Sequence, residues 1–272
     1  MKSRLRSLLP AFHEGLHDMK NEKKINVSAV SYLNTLPMIF GLESGAVSGL
    51  IKLDKDTPSV CAEKLLSGKA DIGLVPVSVL SSLPNHRIIT GYCIGAKGKV
   101  RSVMLYSRVP LEKIKTIYLD SESRTSVSLV KILSRHHWHI SPLWKKGKPG
   151  YEKKIRGTTA GLVIGDRALN LNGHFKYEYD LAAEWMKFTE LPFVFACWAA
   201  QKNIPRKFRS TFGKAVGKGI HNLTATAKKY KLGKKEETYL SNSISYSFDP
   251  EKKKALKLFL KLCSQTAETS AD

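Results

Sequence analysis

The sequence predicts an α/β protein of two lobes with a cleft between them and a helical C-terminal tail. Strand-like and helix-like segments alternate along most of the chain, which favours sheets covered by helices. Beyond Asn203 only helical patterns occur. The 272 residues, 42% apolar and 25% charged, are enough for two ordinary domains with proper cores. A chain that crosses to a second lobe and returns leaves a cleft, where small molecules bind.

The first lobe is predicted to comprise residues 25–110 and 193–272. Its strands are expected at INVSAV (25–30), GLIKL (49–53), DIGLVPV (71–77), RIITGYCIG (87–95), RSVMLYS (101–107) and PFVFACWAA (192–200). One helix is expected to begin at Pro37. A second helix is expected over 56–70, because Pro58 suits a first turn and Gly68 a helix end.

The second lobe is predicted to comprise residues 111–192, with crossings near 107–112 and 191–194. Strands are expected at KTIYLD (115–120), HWHIS (137–141) and GLVIG (161–165), and helices within 121–136 and 179–189. The stretch 145–157 contains Gly, Pro and lysines without a period, which predicts a surface loop. Alternation of this kind favours mostly parallel sheets.

The tail is predicted to form helices over 204–223, 234–243 and 249–263. In the last of these, Asp249 is expected as N-cap and Pro250 as the first helical residue. Leu256, Phe259 and Leu262 follow at helical spacing and predict a buried face.

Residues 1–24 are predicted to be a basic extension outside the fold. Its apolar patch, LLPAF, is too short for a secretory h-region. Two interpretations stay open: a disordered extension, or a natural start at Met19 with the preceding residues an artefact. No apolar run approaches the roughly 20 residues of a spanning helix. We therefore expect a cytoplasmic protein without membrane insertion.

Neither a metal nor another cofactor is predicted. The four cysteines lie far apart without a CxxC pair, which favours reduced, mostly buried thiols. His136, His137 and His139 lack the i, i+4 spacing of helical metal ligands. The sequence also has no GxSxG, Walker or GxGxxG motif.

The chain is strongly basic, with 45 Lys and Arg against 23 Asp and Glu, a formal charge of +22. One interpretation is a nucleic-acid or acidic-membrane surface. The other is a set of solvated helix faces and loops. The basic runs lack the interleaved aromatic residues of single-strand binders, which favours solvated faces and no nucleic-acid partner.

Three short stretches place polar side chains where ligands bind in α/β sheets. Asn34 and Thr35 lie between the first strand and its helix, although Asn34 also suits a helix cap. Ser102 lies beside the first crossing, either in the cleft or as an ordinary strand hydroxyl. Ser123, Arg124, Thr125 and Ser126 begin a helix, where an anion or an ordinary cap fits equally well. Asp71 and Asp166 are predicted to be turn or cap residues rather than catalytic acids.

These motifs, taken in order, resemble the chorismate dehydratase family of the futalosine route to menaquinone. The matching segments are SYLNTLP, GKADIGLVPVSVL, RSVMLYS, DSESRTSVSL, GLVIGDRAL, DLAAEWMKFTELPFVFACWAA and YLSNSISYSFDPEKKKALKLF. The resemblance runs over residues 24–262, nearly the whole chain. The resemblance implies a type II periplasmic-binding-protein-like fold with central mixed sheets. It also implies a cytoplasmic lyase that removes water from chorismate to give 3-[(1-carboxyvinyl)oxy]benzoate.

The resemblance implies catalytic roles for Asn34 and Ser102, since they match the family's active-site asparagine and cleft serine. Substrate binding is then expected from Thr35 and from residues 123–126. Glu190 departs from the family, which usually has glycine before the Leu-Pro-Phe of the return crossing. A side chain there is expected to alter hinge closure or the helix end.

Three other functions compete with this one. A non-catalytic small-anion binding protein has the same fold, but it would carry an export or lipidation signal. A nucleic-acid binder is suggested by the charge alone. The sister enzyme, dihydroxynaphthoate synthase, shares the fold but differs at the first strand.

Overall fold

The computed structural model describes residues 24–268, which form two five-stranded sheets with helices around them. The first sheet contains β1 (Ile25–Val30), β2 (Ile51–Asp56), β3 (Ile72–Pro76), β4 (Arg87–Ala96) and β10 (Phe193–Ala200). The second contains β5 (Val103–Ser107), β6 (Thr116–Leu119), β7 (Leu143–Lys146), β8 (Thr159–Ile164) and β9 (Tyr177–Asp180). The predicted extension at 1–24 lies, except for Lys24, outside the described residues.

The helices cover the sheets and build the tail. They are α1 (Leu36–Ser44), α2 (Pro58–Leu66), α3 (Arg124–His136), α4 (Gly165–Leu171), α5 (Leu181–Thr189), α6 (Arg206–Ile220), α7 (Leu223–Tyr230), α8 (Lys234–Asn242) and α9 (Pro250–Glu268). Short 3-10 turns occur at Leu33–Thr35, Val77–Ser82, Leu111–Lys113 and Tyr151–Lys154. Within residues 24–268 we find no helix with the length and apolar character that spanning a bilayer requires.

Both sheets are mixed, as the resemblance implied, and not mostly parallel, as alternation alone suggested. The first has the order β2-β1-β3-β10-β4, and the second β7-β6-β8-β5-β9. In the first sheet β10 runs antiparallel to both neighbours, and in the second β5 does the same. Alternation shows that strands and helices succeed one another but not the direction in which a returning strand is inserted.

The predicted boundary of the first lobe at residue 110 is wrong. β5 was expected to belong to that lobe, but it pairs with β8 and β9 of the second sheet. The chain therefore crosses between Ala96 and Val103. An apolar run predicts a strand but carries no signal for the sheet that it joins. The chain returns to the first sheet between Thr189 and Phe193.

The predicted strand at 137–141 is also wrong. The N–H groups of His137 and Trp138 both donate to the carbonyl of Leu133, which continues the end of α3. His139 then has a φ of 53°, a left-handed conformation that a strand does not contain. The strand β7 follows at residues 143–146, so its last two residues overlap the start of the loop predicted over 145–157. As an edge strand rich in lysine, it lacks the apolar alternation that predicts strands.

The tail packs against the first sheet and reaches the second lobe. Helix α6 crosses α1 at Gly219 and Gly41, where a Cβ on Gly219 would lie 1.9 Å from the carbonyl oxygen of Pro37. Helix α9 packs on β10 and on α3. Asp249 caps α9, since its Oδ1 accepts from the Lys252 N–H at 3.0 Å, as predicted. The four cysteines are free thiols and three of them are buried, also as predicted.

Candidate active site

A pocket of about 590 Å³, part of it open to solvent, lies between the two sheets. The first sheet contributes the ends of β1 and β3 and the middle of β10, including Pro76 and Phe195. The second lobe contributes Val103, Ile164 and the start of α3. The expected cleft between the lobes is therefore present.

The turn after β1 brings Asn34 to the pocket wall. The Thr35 hydroxyl shares its one hydrogen between the carbonyls of Val30 and Tyr32, and it accepts from the Tyr32 N–H. These bonds close the 3-10 turn at Leu33–Thr35, and Thr35 rather than Asn34 is the N-cap of α1. Asn34 is thus not the helix cap that its position also suited. Thr35 lines the pocket, but its hydroxyl serves the turn.

Ser102 lies on the first crossing, directly before β5, and also lines the pocket. Two bonds hold this crossing: the Arg101 N–H donates to Asp180 Oδ2 at 2.6 Å, and the Gly165 N–H donates to the Ser102 carbonyl at 2.8 Å. Gly165 has a φ of +64°, which favours glycine, and it is part of the pocket wall. Asp180 and Gly165 both belong to the second lobe, so the backbone at Ser102 is anchored to that lobe.

A buried tyrosine from the tail connects the two predicted catalytic residues. Tyr239, on α8, donates its hydroxyl hydrogen to Ser102 Oγ at 2.8 Å. The Asn34 side chain is a second hydrogen-bond partner of the same hydroxyl. Burial is the main cause of the raised pKa of Tyr239, so the phenol stays protonated at neutral pH. Tyr246 donates to the Asn34 carbonyl at 2.9 Å and holds the backbone.

The start of α3 supplies two more hydroxyl groups to the pocket. Ser123 is the N-cap, and its Oγ accepts from the Ser126 N–H at 3.2 Å. The two side chains also share a hydrogen bond of 2.8 Å, and both line the pocket. Helix α3 therefore places the positive end of its dipole at the pocket wall.

Arg124 and Thr125 do not line the pocket, although both were predicted to bind substrate. Arg124 is exposed. The Thr125 hydroxyl is buried between the lobes, where it accepts from the Ser78 N–H at 3.2 Å and lies 3.3 Å from the Phe195 carbonyl. Successive residues at a helix start point to different sides, so only Ser123 and Ser126 face the pocket.

A second contact between the lobes lies at Tyr32, which also lines the pocket. Its hydroxyl donates to Glu122 Oε2 at 2.8 Å, from the loop after β6. Burial and the neighbouring Glu122 carboxylate raise the pKa of Tyr32. Arg167 stands behind this contact and pairs at 2.6 Å with the buried Asp120. These bonds hold the lobes together on one side of the pocket.

The pocket wall carries no formal charge. None of the lining residues, all of which lie in the described part of the chain, is Asp, Glu, Lys, Arg or His. The polar groups are one amide and several hydroxyls, from Tyr32, Asn34, Thr35, Ser102, Ser123 and Ser126. Such a wall can orient a ligand and donate hydrogen bonds, but it lacks a side chain that titrates near neutral pH.

Sequence reasoning missed Tyr239, Tyr246 and Tyr32. The tail was predicted to pack on a lobe, not to complete the site, and a tyrosine in a helical pattern predicts core packing. Tyr32 stood within the SYLNTLP motif, so its position beside Asn34 was the available signal. The three histidines do not converge on a site: His137 lies 3.4 Å from the buried Glu184, and no group of metal-ligating residues occurs within 24–268.

Comparison with known proteins places the chain among menaquinone enzymes. A family model described as menaquinone biosynthesis matches residues 25–265. The chain is 28% identical to chorismate dehydratase of Thermus thermophilus over 166 residues, 54% of this chain and 60% of that protein. It is also 28% identical to chorismate dehydratase of Campylobacter jejuni over 247 residues, 86% and 95% of the two chains.

The fold resembles that of periplasmic binding proteins. A protein from Archaeoglobus fulgidus superposes with a TM-score of 0.68 at 15% identity, covering 91% of this chain and 98% of that one. The aliphatic sulphonate binding protein SsuA of Escherichia coli superposes with a TM-score of 0.59 at 12% identity, covering 92% and 94%. The predicted fold class is confirmed.

The two curated relatives confirm the predicted resemblance to chorismate dehydratases and the prediction of an enzyme. The family model covers nearly all of the described residues. The chain therefore belongs to the menaquinone biosynthesis family.

Proposed function

We propose that this protein removes water from chorismate to form 3-[(1-carboxyvinyl)oxy]benzoate. The observation that carries the proposal is the uncharged pocket in which Tyr239 connects Asn34 with Ser102. Two relatives of the same family are named chorismate dehydratase, which supports this choice of substrate.

The reaction needs positioning more than a strong base. A proton leaves the ring carbon that carries the enolpyruvyl ether, and the electron pair of that C–H bond forms the third ring double bond. The C–O bond of the neighbouring hydroxyl breaks, and the hydroxyl leaves as water with one proton. Because the product is aromatic, the step is strongly favourable once the ring is correctly held.

Asn34 and Ser102 are proposed to orient the ring and the departing hydroxyl. An amide offers both donors and acceptors without a titratable proton, and a serine hydroxyl can donate to an oxygen that is gaining negative charge. Ser123 and Ser126, with the dipole of α3, are proposed to hold a carboxylate of the substrate. Arg124 and Thr125 are not assigned this role, because neither lines the pocket.

The proton acceptor is proposed to be the enolpyruvyl carboxylate of the substrate itself, since the wall provides no base. Asp166 is the alternative to exclude. It follows Gly165 of the wall, its carboxylate accepts from the Leu33 N–H, and burial raises its pKa. Asp166→Asn should keep kcat within a few-fold of the parental value. A loss of about a thousandfold would identify Asp166 as the base and end the internal-base proposal.

The function is tested by incubating the protein with chorismate and following the aromatic product. Loss of chorismate with matching formation of 3-[(1-carboxyvinyl)oxy]benzoate supports the proposal. Calorimetric binding without turnover would favour a small-anion binding protein, the second candidate, which the neutral donors of the pocket also suit. Turnover of cyclic dehypoxanthine futalosine instead would identify the sister synthase activity.

A further inference from the structure

We infer that Tyr239 is a positioning residue that directs the hydroxyl proton of Ser102 into the pocket. This inference rests on the proposed function, because it assigns Ser102 its direction in that reaction. Tyr239 belongs to the C-terminal tail, more than 130 residues from Ser102 in the chain, at the hydrogen-bond distance of 2.8 Å.

The hydrogen-bond direction is the first step. Tyr239 Oη is the donor and Ser102 Oγ the acceptor. A serine oxygen that accepts this bond still has its own proton to donate. Ser102 lines the pocket and is only 2% exposed, so a bound ligand is the natural acceptor for that proton.

Asn34 extends the chain of hydrogen bonds by one member. Its side chain is the other partner of the Tyr239 hydroxyl. The phenol gives its proton to Ser102, so the bond from Asn34 has the amide as donor and the phenol oxygen as acceptor. The hydrogen bonds then run in one direction, from the Asn34 amide to the Tyr239 phenol and from the phenol to Ser102, and each bond polarises the next.

The tail holds this arrangement rigidly. Tyr239 is 7% exposed, and α8 packs directly on the 3-10 turn that contains Asn34. Tyr246, which is also buried, fixes the backbone of the same turn through the Asn34 carbonyl. Ser102 is fixed from the other side, because its carbonyl accepts from Gly165 of the second lobe. The phenol is therefore held between two anchored partners.

A kinetic double-mutant cycle tests the inference. Tyr239→Phe removes only the hydroxyl, and we expect kcat for chorismate to fall about tenfold, the rate equivalent of one buried hydrogen bond, with KM within about twofold. Because Tyr239 acts through Ser102, the double variant with Ser102→Ala should be no slower than Ser102→Ala alone. Rates are referred to the folded fraction measured by circular dichroism.

Tyr106→Phe is the matched control. Tyr106 is buried like Tyr239, and its hydroxyl lies 2.7 Å from the Ala168 carbonyl oxygen and from Asn172 Oδ1, away from the pocket. This variant should lose stability but keep its kcat. Equal losses of kcat in the Tyr106 and Tyr239 variants would overturn the inference, because the effect would then be a general consequence of removing a buried hydroxyl.

The remaining outcomes separate the inference from the function. Parental kcat in Tyr239→Phe, or losses that multiply in the double variant, would overturn the role of Tyr239 while leaving the dehydratase proposal intact. A wild-type protein that binds chorismate but does not convert it would overturn the proposed function, and the role of Tyr239 with it.

Discussion

Glu190 has a backbone conformation that is costly for any residue with a side chain. It ends α5 with a φ of 59°, in the left-handed region, and its N–H donates to the Met186 carbonyl at 2.8 Å. Of the two effects expected of a side chain at Glu190, the structure shows the one at the helix end, where the backbone is strained. Glycine adopts this conformation without the Cβ contact that raises its energy.

We expect Glu190→Gly to raise the free energy of unfolding by about 0.5–1 kcal/mol, because the left-handed strain outweighs the added freedom of the unfolded chain. Urea denaturation measures the difference. Glu237→Gly, at an exposed position inside α8, is the control and should instead lower stability by about 1 kcal/mol. Equal losses in both variants would show that Glu190 is not strained.

At the residue scale, the sequence identified the pocket residues that lie next to a strand end. It did not identify those that a distant segment of the chain contributes. Asn34, Ser102, Ser123 and Ser126 each stand at a strand–helix or hinge position, and all four line the pocket. Tyr239 reaches the site only because the tail folds back onto the turn at 33–35, a contact with no local signal. Their functional roles stay predictions until turnover is measured.

Helix α1, which follows Asn34, is anchored at its far end by Glu43. This carboxylate pairs with Lys55 of β2 at 2.7 Å and contacts Lys229 and Tyr230 of α7. Burial opposes its ionisation, but these hydrogen bonds outweigh burial and lower the pKa of Glu43 from 4.5 to about 2. The anchoring therefore depends on the ionised form.

Because the pKa of Glu43 is lowered in the folded protein, we expect the Glu43→Gln variant to be less stable than the wild-type protein, by an amount that depends on pH. The ionised group contributes fully above the unfolded pKa of 4.5, and its contribution disappears as the pH falls toward about 2. Both lysines are partly exposed, so after solvent screening we expect a deficit of roughly 1 kcal/mol at pH 7. Urea titrations from pH 7 to pH 3 should show the deficit shrinking. A constant deficit would mean that packing, not charge, anchors the helix.

At the element scale, buried strands were predictable and the edge of the second sheet was not. Strands such as β3 and β8 are continuous apolar runs and matched their predicted segments closely. In contrast, β7 has exposed lysines, and the last two residues of β9 (Tyr177–Asp180) fell within the helix predicted over 179–189, whose true N-cap is Asp180. Edge pairing depends on a neighbouring strand, so the segment alone does not reveal it.

For the whole molecule, the two sheets were predictable in kind but the crossing was misplaced. The apolar alternation of 101–107 defines β5 without showing that it pairs with β8 and β9. The consequence is functional: the crossing at 97–102 carries Ser102, so opening of the lobes would move this serine relative to Asn34. Contacts such as Tyr32 to Glu122 and Thr125 to Ser78 hold the lobes together.

The net charge of the protein is +22, but the pocket wall is uncharged. We therefore expect the charge to speed the binding of the anionic substrate and to leave the chemical step unaffected. A basic molecule attracts a dianion over a distance that salt shortens, from about 30 Å at 0.01 M to about 10 Å at 0.1 M. We expect kcat/KM for chorismate to fall several-fold over this range while kcat stays constant. Ser102→Ala leaves the charge unaltered and should show the same relative decrease. A kcat/KM that is insensitive to salt would contradict this division.

The most direct measurement is chorismate turnover by the wild-type protein beside Asn34→Leu and Ser102→Ala variants that melt at similar temperatures. If a neutral amide and a neutral alcohol steer the loss of water, the wild-type protein forms the aromatic product. Each variant then loses about a hundredfold or more in kcat, as when a donor to developing charge is removed. Near-parental rates in both variants would show that the chemistry occurs without these two groups, in direct contradiction.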